Sequence, residues 1–527
     1  MEEAYSIINP NGKFQHILIF ILISTSFLSS VLSVSYSYLT KLPSFECLKK
    51  NEINSSYKQC EYNYGEFCNK NSELFYRKIY DKSLHNWSYS FDLYCNNEHY
   101  IPLIGSSFFF GGILGSILIT PLPDKFGRKK IFNILTFISC LMHINLFFSN
   151  NPFHIVIICF ISGICYAIYG MFGVIMYEFL PINKIGIIMT YSNAIYPLAG
   201  VLLSFFFIYI NNWRVFFGFT SLLHIITTTL SLKYFTESPK WLINQGKINE
   251  FIEELNSIAY VNNTLNEWNE YIKKEKNNIF NLKNVTNSGK KKVTSNIYQK
   301  SFLFIISIPS QRKTILILIL LWYASSFCFY GIILNLNKLK GDFFSLSILA
   351  FLGEMISELI SGYTAEIYGR IFVLKYGGFL GAFGFLIYKI VPMEIKAILI
   401  FISMFGFSAT FNVIYIYTPE ILPISIKGSM SEFLFLLSRF APFCVPILSE
   451  FIGDYIDVVF ILMGISYGIA CFGLNETLGK VITEDIPESQ YINSKNSSFE
   501  FDNLSEFSLI SSENDSHNFM QSFKIIK

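Results

Sequence analysis

Charged residues are scarce in this chain. Asp, Glu, Lys and Arg make up 15% of its 527 residues, whereas hydrophobic residues make up 52%. Soluble domains carry about 25% charged residues, so this composition excludes an ordinary soluble multi-domain protein and predicts a protein of the lipid bilayer. The formal net charge is only +2. The strongly basic surface of a nucleic-acid-binding protein is missing, so we expect no nucleic-acid partner.

Catalytic motifs are also missing. The sequence contains no glycine-rich phosphate loop with its lysine, no HExxH string, and no nucleophile with a base at motif spacing. We therefore expect neither an enzyme nor a primary pump. No cofactor and no metal ion are predicted.

Apolar segments of about 20 residues, the length that crosses a bilayer, recur along the whole chain. The first half contains six, at 14–39, 101–122, 131–148, 153–180, 185–210 and 213–235. The second half contains six more, at 313–336, 343–368, 371–391, 395–417, 426–450 and 455–474. The first segment is too long for a cleavable signal peptide, so we expect it to remain. The sequence predicts an all-α membrane protein with twelve transmembrane helices.

Two short motifs occur twice with the same displacement. The string DKFGR at 124–128 returns as EIYGR at 366–370. The string EFLP at 178–181 returns as EILP at 420–423, and both displacements are 242 positions. One offset shared by two unrelated motifs indicates a tandem duplication. The predicted units are an amino-terminal six-helix bundle, a connector, a carboxy-terminal six-helix bundle and a largely disordered tail, at 1–235, 236–312, 313–474 and 475–527.

Basic residues predict the orientation, because Lys and Arg near helix ends favour the cytoplasmic side. The turn after the second segment contains Lys125, Arg128, Lys129 and Lys130. This turn, the connector, the tail and both termini are therefore predicted to be cytoplasmic. We expect a multi-pass protein of the plasma membrane.

The segment 43–100 then lies outside the cell and forms part of the amino-terminal unit. It contains an even set of four cysteines, which predicts two disulfides in an oxidising compartment and leaves three connectivities open. It also contains two glycan acceptor sequences, at Asn54 and Asn86. The four cysteines are Cys47, Cys60, Cys68 and Cys95.

Each half contains one motif in which an acidic residue is followed by two variable residues and then by Gly and Arg. This motif resembles the one in the turns after helices two and eight of the major facilitator superfamily. Further strings resemble one of its members, the organic ion transporter family of cation, anion and carnitine carriers. These strings are FDLYC at 91–95, SSFFFGGILGS at 106–116, NWR at 212–214, ESPKWLINQGK at 237–247, LWYASSFCFYGIILN at 321–335 and YTPEILPISIKG at 417–428.

The resemblance implies that charged residues at the cytoplasmic helix ends latch that face shut. Glycines permit the tight turns, and arginines pair with acidic residues beside them. The amino-terminal latch consists of Asp124, Gly127, Arg128 and Glu178, and the carboxy-terminal latch consists of Glu366, Gly369, Arg370 and Glu420. Thr120 and Cys159 depart from the family pattern, so the amino-terminal latch is expected to be the weaker one.

Charges inside the apolar segments indicate function, because each costs several kcal/mol unless it is paired or hydrated. Arg439 lies about 18 Å into the eleventh segment. The resemblance implies an arginine here in anion and carnitine carriers, so Arg439 is predicted to bind a substrate anion. Glu354 and Glu358 lie one turn apart in the eighth segment and are candidates for a coupling proton or another ion. The competing interpretation is that Arg439 and Glu354 neutralise each other structurally.

Aromatic and amide side chains are further candidates for binding an organic ion. Tyr323 and Tyr330 are seven residues apart, a spacing that places them on one helix face. The other candidates are Trp322, Tyr196 and Asn412. His143 and His224 are interpreted as core residues. In each case packing inside the bundle is the alternative.

These features predict a secondary transporter in which two halves rock about a central site. Its partners are the bilayer, a small organic anion or zwitterion, and a coupling ion. Two alternatives stay open. One is a carrier of a neutral solute like the sugar porters, which would not use Arg439, and the other is a solute receptor with a transporter fold that does not transport.

Overall fold

The computed structural model describes residues 7–9, 12–49, 58–59, 74–180, 188–189, 191–274, 309–422 and 427–479. Twelve helices of this part are long and apolar enough to cross a membrane. They are α1 (Lys13–Leu39), α2 (Tyr100–Leu118), α3 (Arg128–Phe148), α4 (Pro152–Phe179), α5 (Tyr191–Tyr209), α6 (Trp213–Tyr234), α7 (Arg312–Asn335), α8 (Phe343–Tyr368), α9 (Arg370–Tyr388), α10 (Lys396–Ile421), α11 (Met430–Ile452) and α12 (Ile456–Gly473). The predicted all-α fold with twelve spans is confirmed.

The duplication is visible in the backbone of two turns. Gly127 ends the short helix before α3 with φ 98° and ψ 154°, and Gly369 separates α8 from α9 with φ 101° and ψ 155°. A positive φ is strained for any residue with a Cβ atom, which explains why glycine occupies both positions. These turns lie at one end of the bundle, here called the motif face. The opposite end, which carries the segment 43–100, is called the loop face.

Helix α4 is broken near its middle. Its two segments are Pro152–Cys165 and Ile168–Phe179. The amide of Tyr166 donates to Ser162 at 3.0 Å and to Gly163 at 3.1 Å, so the last turn tightens before the helix resumes. The break leaves Tyr166 beside the contact between the two halves.

Helices α2 and α4 pack through glycines. A Cβ atom at Gly111 would collide with the carbonyl oxygen of Phe160, and one at Gly163 would collide with that of Phe108. Small residues allow membrane helices to approach until their backbones touch. The string SSFFFGGILGS therefore supplies a close α2–α4 contact within the amino half.

The two halves touch at the loop face and at mid-depth. Ser106 on α2 donates to the carbonyl oxygen of Phe443 on α11 at 2.9 Å. Asn337, after α7, donates to the hydroxyl of Thr40, after α1, at 3.2 Å. Lys41 lies 3.9 Å from the centre of the Phe343 ring. These contacts hold the halves together at the loop face.

Burial changes the acidity of Lys41 at this closed face. Desolvation lowers the pKa of its ammonium group to about 8, against a smaller opposite effect from Asp342. The ring of Phe343 offers partial compensation to the desolvated cation.

The loop-face segment folds back onto the helix ends. Its strands β1 (Phe45–Lys49), β2 (Lys58–Gln59) and β3 (Leu74–Lys78) form an antiparallel sheet in the order β2-β1-β3. Cys47 and Cys95 each take part in a disulfide. Cys60, Cys68 and Asn54 lie outside the described residues, so the connectivity and the glycan at Asn54 stay predictions.

The predicted glycan at Asn86 is wrong for this fold. Asn86 is fully buried, and its side-chain amide donates to the carbonyl oxygens of Tyr38 and Lys41, at 2.7 Å in both cases. Its side-chain oxygen accepts from the amide of Tyr89 and caps the short helix Trp87–Ser90. Both donors and the acceptor are used inside the protein, so no room remains for a sugar.

We expect Asn86→Gln to leave the electrophoretic mobility of the protein unchanged without glycosidase treatment, because no sugar is lost. The substitution should also lower thermal stability by about 1–2 kcal/mol, since a buried cap and two hydrogen bonds are lost. Gel mobility and the unfolding temperature of the purified protein check the two parts. Asn97→Gln, a partly buried neighbour with one long hydrogen bond of 3.5 Å, is the control for stability. A mobility shift specific to Asn86→Gln would contradict this assignment.

The described part of the connector packs on the amino half. Its helices Pro239–Asn244 and Ile248–Val261 share a buried apolar cluster with α1, α3 and the second segment of α4. The side chain of Asn262 donates to the carbonyl oxygens of Ile8 and Asn9 and accepts from the amide of Phe14 at 2.8 Å. The start of α1 and the connector are thus joined.

Candidate functional site

The motif face of the amino half carries an arginine surrounded by carboxylates, here called the amino cluster (Asp124, Arg128, Glu178 and Glu237). The guanidinium of Arg128 lies 2.8 Å from Asp124 and 2.9 Å from Glu178. Its Nε atom also donates to both oxygens of Glu178 at 3.1 Å. Glu237, which the sequence interpretation missed, accepts from the backbone amide of Arg128 at 2.7 Å. Negative charge is favourable here, at the amino end of α3.

The carboxy half repeats this arrangement in the carboxy cluster (Arg370, Glu420, Glu476 and Thr477). Arg370 donates twice to Glu420, at 3.1 Å in both bonds. Glu476 accepts from the backbone amides of Arg370 and Ile371 at 2.9 Å. Burial alone would raise the pKa of the Glu476 carboxyl, but the backbone amides bonded to it bring that pKa below its usual value.

Glu366 corrects one part of the prediction. It is exposed, and within the described residues it forms no ion pair with Arg370. The hydroxyl of Thr477 donates instead to Glu420 at 2.6 Å. The carboxy cluster therefore has one carboxylate fewer on its guanidinium than the amino cluster.

The contacts of the two arginines do not favour the amino-terminal latch as the weaker one, and that expectation stays a prediction. Arg128 contacts two carboxylates with its guanidinium and has 9% of its side chain exposed, whereas Arg370 contacts one and has 14% exposed. The amino cluster joins the start of α3 to the end of α4 and to the connector through Glu237. The carboxy cluster joins the start of α9 to the end of α10 and to the residues after α12 through Glu476 and Thr477. Neither cluster, as described, joins the two halves to each other.

Arg439 lies midway along α11 and is buried, with 6% exposed. Its guanidinium carbon is 4.8 Å from the centre of the Tyr166 ring and 4.6 Å from that of Phe435. The Tyr166 hydroxyl also hydrogen-bonds Arg439, and the hydroxyls of Tyr330 and Tyr415 interact with its charge. We call Tyr166, Tyr330, Tyr415 and Phe435 the aromatic cage. Ring faces attract a desolvated cation but do not neutralise it.

No carboxylate of the described residues forms an ion pair with Arg439. The interpretation in which Arg439 and Glu354 neutralise each other is therefore wrong. Glu354 is 1% exposed, and its Oε2 atom has no hydrogen-bond partner in the described part of the chain. Glu358 follows one turn later, and Tyr415 interacts electrostatically with both Glu358 and Arg439. Tyr415 therefore links the two charged positions.

Two other predicted candidates lie at the edge of this region. Tyr196 on α5 lies 3.2 Å from the hydroxyl of Ser33 and 6.3 Å, between ring centres, from Phe329 on α7. The side-chain amide of Asn412 on α10 donates to Ser361 on α8 at 2.9 Å. Asn412 thus holds α10 against the helix that carries Glu354.

Two aromatic predictions need correction. Trp322 is 2% exposed, and its indole N–H donates to the hydroxyl of Thr418 at 2.9 Å. It therefore packs against α10, where its ring centre lies 4.6 Å from that of Tyr415. Tyr323 stacks on Phe327 and lies beside Cys444. It does not join Tyr330 in the aromatic cage, although the spacing of seven predicted one face.

His143 and His224 form a buried pair between α3 and α6, with ring centres 4.1 Å apart. They are 1% and 3% exposed. Their interpretation as core residues agrees with this position. Within the described residues no group of three or more metal-ligating side chains occurs.

Twelve spanning helices in two similar halves, with an arginine cluster in each half and a buried charged centre, define a membrane transporter of the major facilitator fold. The chain belongs to the family described as "Sugar (and other) transporter", which it matches over residues 42–487.

Curated relatives agree with the narrower resemblance to organic ion carriers. The chain is 25% identical over 414 residues to solute carrier family 22 member 6 of Bos taurus, covering 75% of this chain and 72% of the relative. It is 24% identical over 428 residues to organic cation/carnitine transporter 2 of Homo sapiens, covering 77% and 74%. It is 27% identical over 407 residues to solute carrier family 22 member 15-like of Xenopus tropicalis, covering 75% and 80%. The predicted resemblance is confirmed.

Solved structures confirm the fold. The xylose transporter XylE from E. coli in its inward open conformation superposes with a TM-score of 0.60 at 14% identity, covering 89% of this chain and 98% of that one. The proton:xylose symporter XylE bound to 6-bromo-6-deoxy-D-glucose gives 0.53 at 15% identity, covering 88% and 97%. The chain is a multi-pass secondary transporter of the major facilitator type.

Proposed function

We propose that this transporter carries a small organic anion or zwitterion by alternating access, with Arg439 as the residue that binds the substrate carboxylate. The observation that supports this is that Arg439 is only 6% exposed and that its guanidinium lies against aromatic rings without a carboxylate partner in the described residues. An unpaired buried charge is costly. An anion that replaces the missing carboxylate would gain charge-assisted hydrogen bonds in a low-dielectric site.

Glu354 and Glu358 are proposed as the second part of the site. Glu354 is 1% exposed, and its Oε2 atom has no hydrogen-bond partner in the described part of the chain. They either carry a coupling proton or contact the cationic group of a zwitterion. Tyr415 lies near both Glu358 and Arg439, and we propose that the two ends of one zwitterion bind these two charges.

The remaining proposals concern the setting of the site. We infer that the motif face is cytoplasmic, together with both termini, and that the carrier lies in the plasma membrane. The two arginine clusters are proposed to keep the cytoplasmic helix ends of each half rigid while the halves rock. In this conformation the halves meet at the loop face, as expected for a carrier whose other face is the accessible one.

Uptake into vesicles separates the candidate functions. We expect Arg439→Gln to reduce the uptake of labelled carboxylates at least about 100-fold, because a buried, charge-assisted contact is worth about 3 kcal/mol. Arg439→Lys should recover part of that loss, since the charge remains but the planar fork is lost. Initial rates for carboxylates, organic cations and hexoses are measured at equal protein content.

Arg214→Gln is the matched control, because Arg214 bonds carbonyl oxygens at the loop-face end of α6, away from the centre. Unchanged carboxylate uptake in Arg439→Gln would contradict the role of Arg439. Hexose uptake that is insensitive to Arg439 would favour a sugar carrier. Binding without flux in any gradient would favour a receptor.

A further inference from the structure

Three lysines of the amino half are exposed at the motif face and form no ion pair within the described residues. They are Lys125 on the short helix before α3, Lys130 in the first turn of α3 and Lys233 in the last turn of α6. Asp124, the acid next to the first of them in the chain, pairs with Arg128 at 2.8 Å instead. We call the three lysines the lysine patch.

The lysine patch lies on one surface because the end of α6 packs beside the start of α3. The hydroxyl of Ser231 on α6 donates to the side-chain oxygen of Asn133 on α3. The rings of Phe235 and Phe132 stack with their centres 4.6 Å apart. The helix that carries Lys125 leads into the same end of α3 through the tight glycine turn. Three ammonium groups are thus gathered at one edge of the bundle.

Exposed apolar side chains continue from the lysine patch towards the middle of both helices. Ile134 and Phe137 follow Lys130 by four and seven residues, which places them on the same face of α3. Ile226 precedes Lys233 by seven residues on α6 and is exposed as well. A surface with ammonium groups at its edge and apolar side chains behind them matches a phospholipid with an acidic headgroup. The headgroup meets the lysines, and the acyl chains lie along the helices.

The carboxy half shows that the fold does not require these lysines. The offset of 242 gives two of the corresponding positions, and the third is counted from Glu237 and Glu476, which both accept from the backbone amide of a motif arginine. The orientation rule applies to the helix ends of both halves alike, so it does not by itself explain the lysine patch. The residues that correspond to Lys125, Lys130 and Lys233 are exposed and apolar, and they are Ile367, Phe372 and Phe472.

We propose that the lysine patch binds the headgroup of an anionic phospholipid in the leaflet at the motif face. The ammonium groups neutralise the negative charge of the lipid phosphate, which in phosphatidylcholine is balanced by the cation of that lipid itself. The acyl chains cover the exposed apolar faces of α3 and α6. All three lysines belong to the amino half, so the bound lipid stays with that half, and its binding does not depend on the proposed substrate or on Arg439.

Native mass spectrometry of the purified full chain tests the proposal with dioleoyl phosphatidylglycerol and dioleoyl phosphatidylcholine, which have identical acyl chains. We expect wild type to retain phosphatidylglycerol preferentially. Lys125→Gln, Lys130→Gln and Lys233→Gln together should weaken its binding about 100-fold, and each alone about fivefold, because one lysine near an acidic headgroup contributes about that factor. The single variants carry the test if the triple variant does not fold. The triple change to arginine should keep the binding, since the charges remain.

The matched control removes three charges from the connector, through Lys247→Gln, Lys273→Gln and Lys274→Gln, all exposed and outside the spanning helices. It should keep the preference for phosphatidylglycerol. Equal retention of both lipids by wild type, unchanged binding in the lysine-patch variants, or an equal loss in the control overturns the proposal. Displacement of the lipid by glycerol 3-phosphate or polyglutamate at the same concentration also overturns it, because the site would then suit a soluble phosphate or an acidic protein segment.

Discussion

Arg128→Ala is expected to destabilise the protein by about 3–5 kcal/mol, the cost of breaking a buried ion pair by removing one partner. Glu178 has only 12% of its side chain exposed and would lose the guanidinium that bonds both of its oxygens. The carbonyl oxygen of Pro123 would lose a donor as well. The thermal unfolding midpoint of the purified protein, read against wild type in one detergent, measures the effect.

Arg370→Ala is the internal comparison, and its effect should be smaller. Glu420 is 29% exposed and keeps the hydroxyl of Thr477 at 2.6 Å, so water and that hydroxyl can compensate. The double variant Arg128→Ala with Glu178→Gln should regain much of the loss, because no buried carboxylate is left unpaired; Asp124 loses its partner too, but its side chain is 78% exposed. Equal midpoints for Arg128→Ala and Arg370→Ala would show that burial of the carboxylate does not determine the cost.

Gly163→Ala is expected to lower stability by about 1–3 kcal/mol or more, the range for overpacking a tight core. The added methyl group would meet the carbonyl oxygen of Phe108 and would lie 3.1 Å from the Cα atom of Gly111. These are backbone atoms of α2, which cannot rotate away as a side chain can. Helices α2 and α4 would have to separate. The unfolding midpoint, together with the yield of folded protein, measures this.

Gly170→Ala provides the control on the same helix. No described atom lies within 4 Å of a Cβ atom at Gly170, and alanine favours a helix over glycine by about 1 kcal/mol. Gly170→Ala should therefore be neutral or stabilising. If both glycine variants lost stability equally, helix flexibility rather than the α2–α4 contact would be the cause.

The repeat of DKFGR and EIYGR was sufficient to predict the positions of both arginine clusters, because a tight glycine turn and a helix-end arginine are local properties of the chain. The repeat could not reveal that Asp124 contacts its arginine whereas Glu366 does not, since that depends on side-chain placement at the surface. Glu237 and Glu476 escaped detection for another reason. They occur in the dissimilar strings ESPKWL and NETLGK, and their separation differs from the 242-residue offset.

The charged centre was only half predictable. Arg439 and Glu354 are conspicuous as charges inside apolar segments, but Tyr166 and Tyr415 are two of 32 tyrosines, and nothing local distinguishes them. The spacing of Tyr323 and Tyr330 predicted a shared role that packing against Cys444 overrode. Asn86 matched an acceptor sequence, yet burial of a side chain by residues 48 and 45 positions away is invisible in a short motif.

The attachment of the connector through Asn262 has a practical consequence. The helices Pro239–Asn244 and Ile248–Val261 move with the amino half, because Asn262 and the shared apolar cluster fix them to α1, α3 and α4. An antibody fragment raised against Ile248–Val261 would thus add mass to one half alone. Such a fiducial would break the pseudo-symmetry that makes the two halves hard to tell apart in electron-microscope images. A fluorophore at the exposed Tyr260 would report the tilt of that half during turnover.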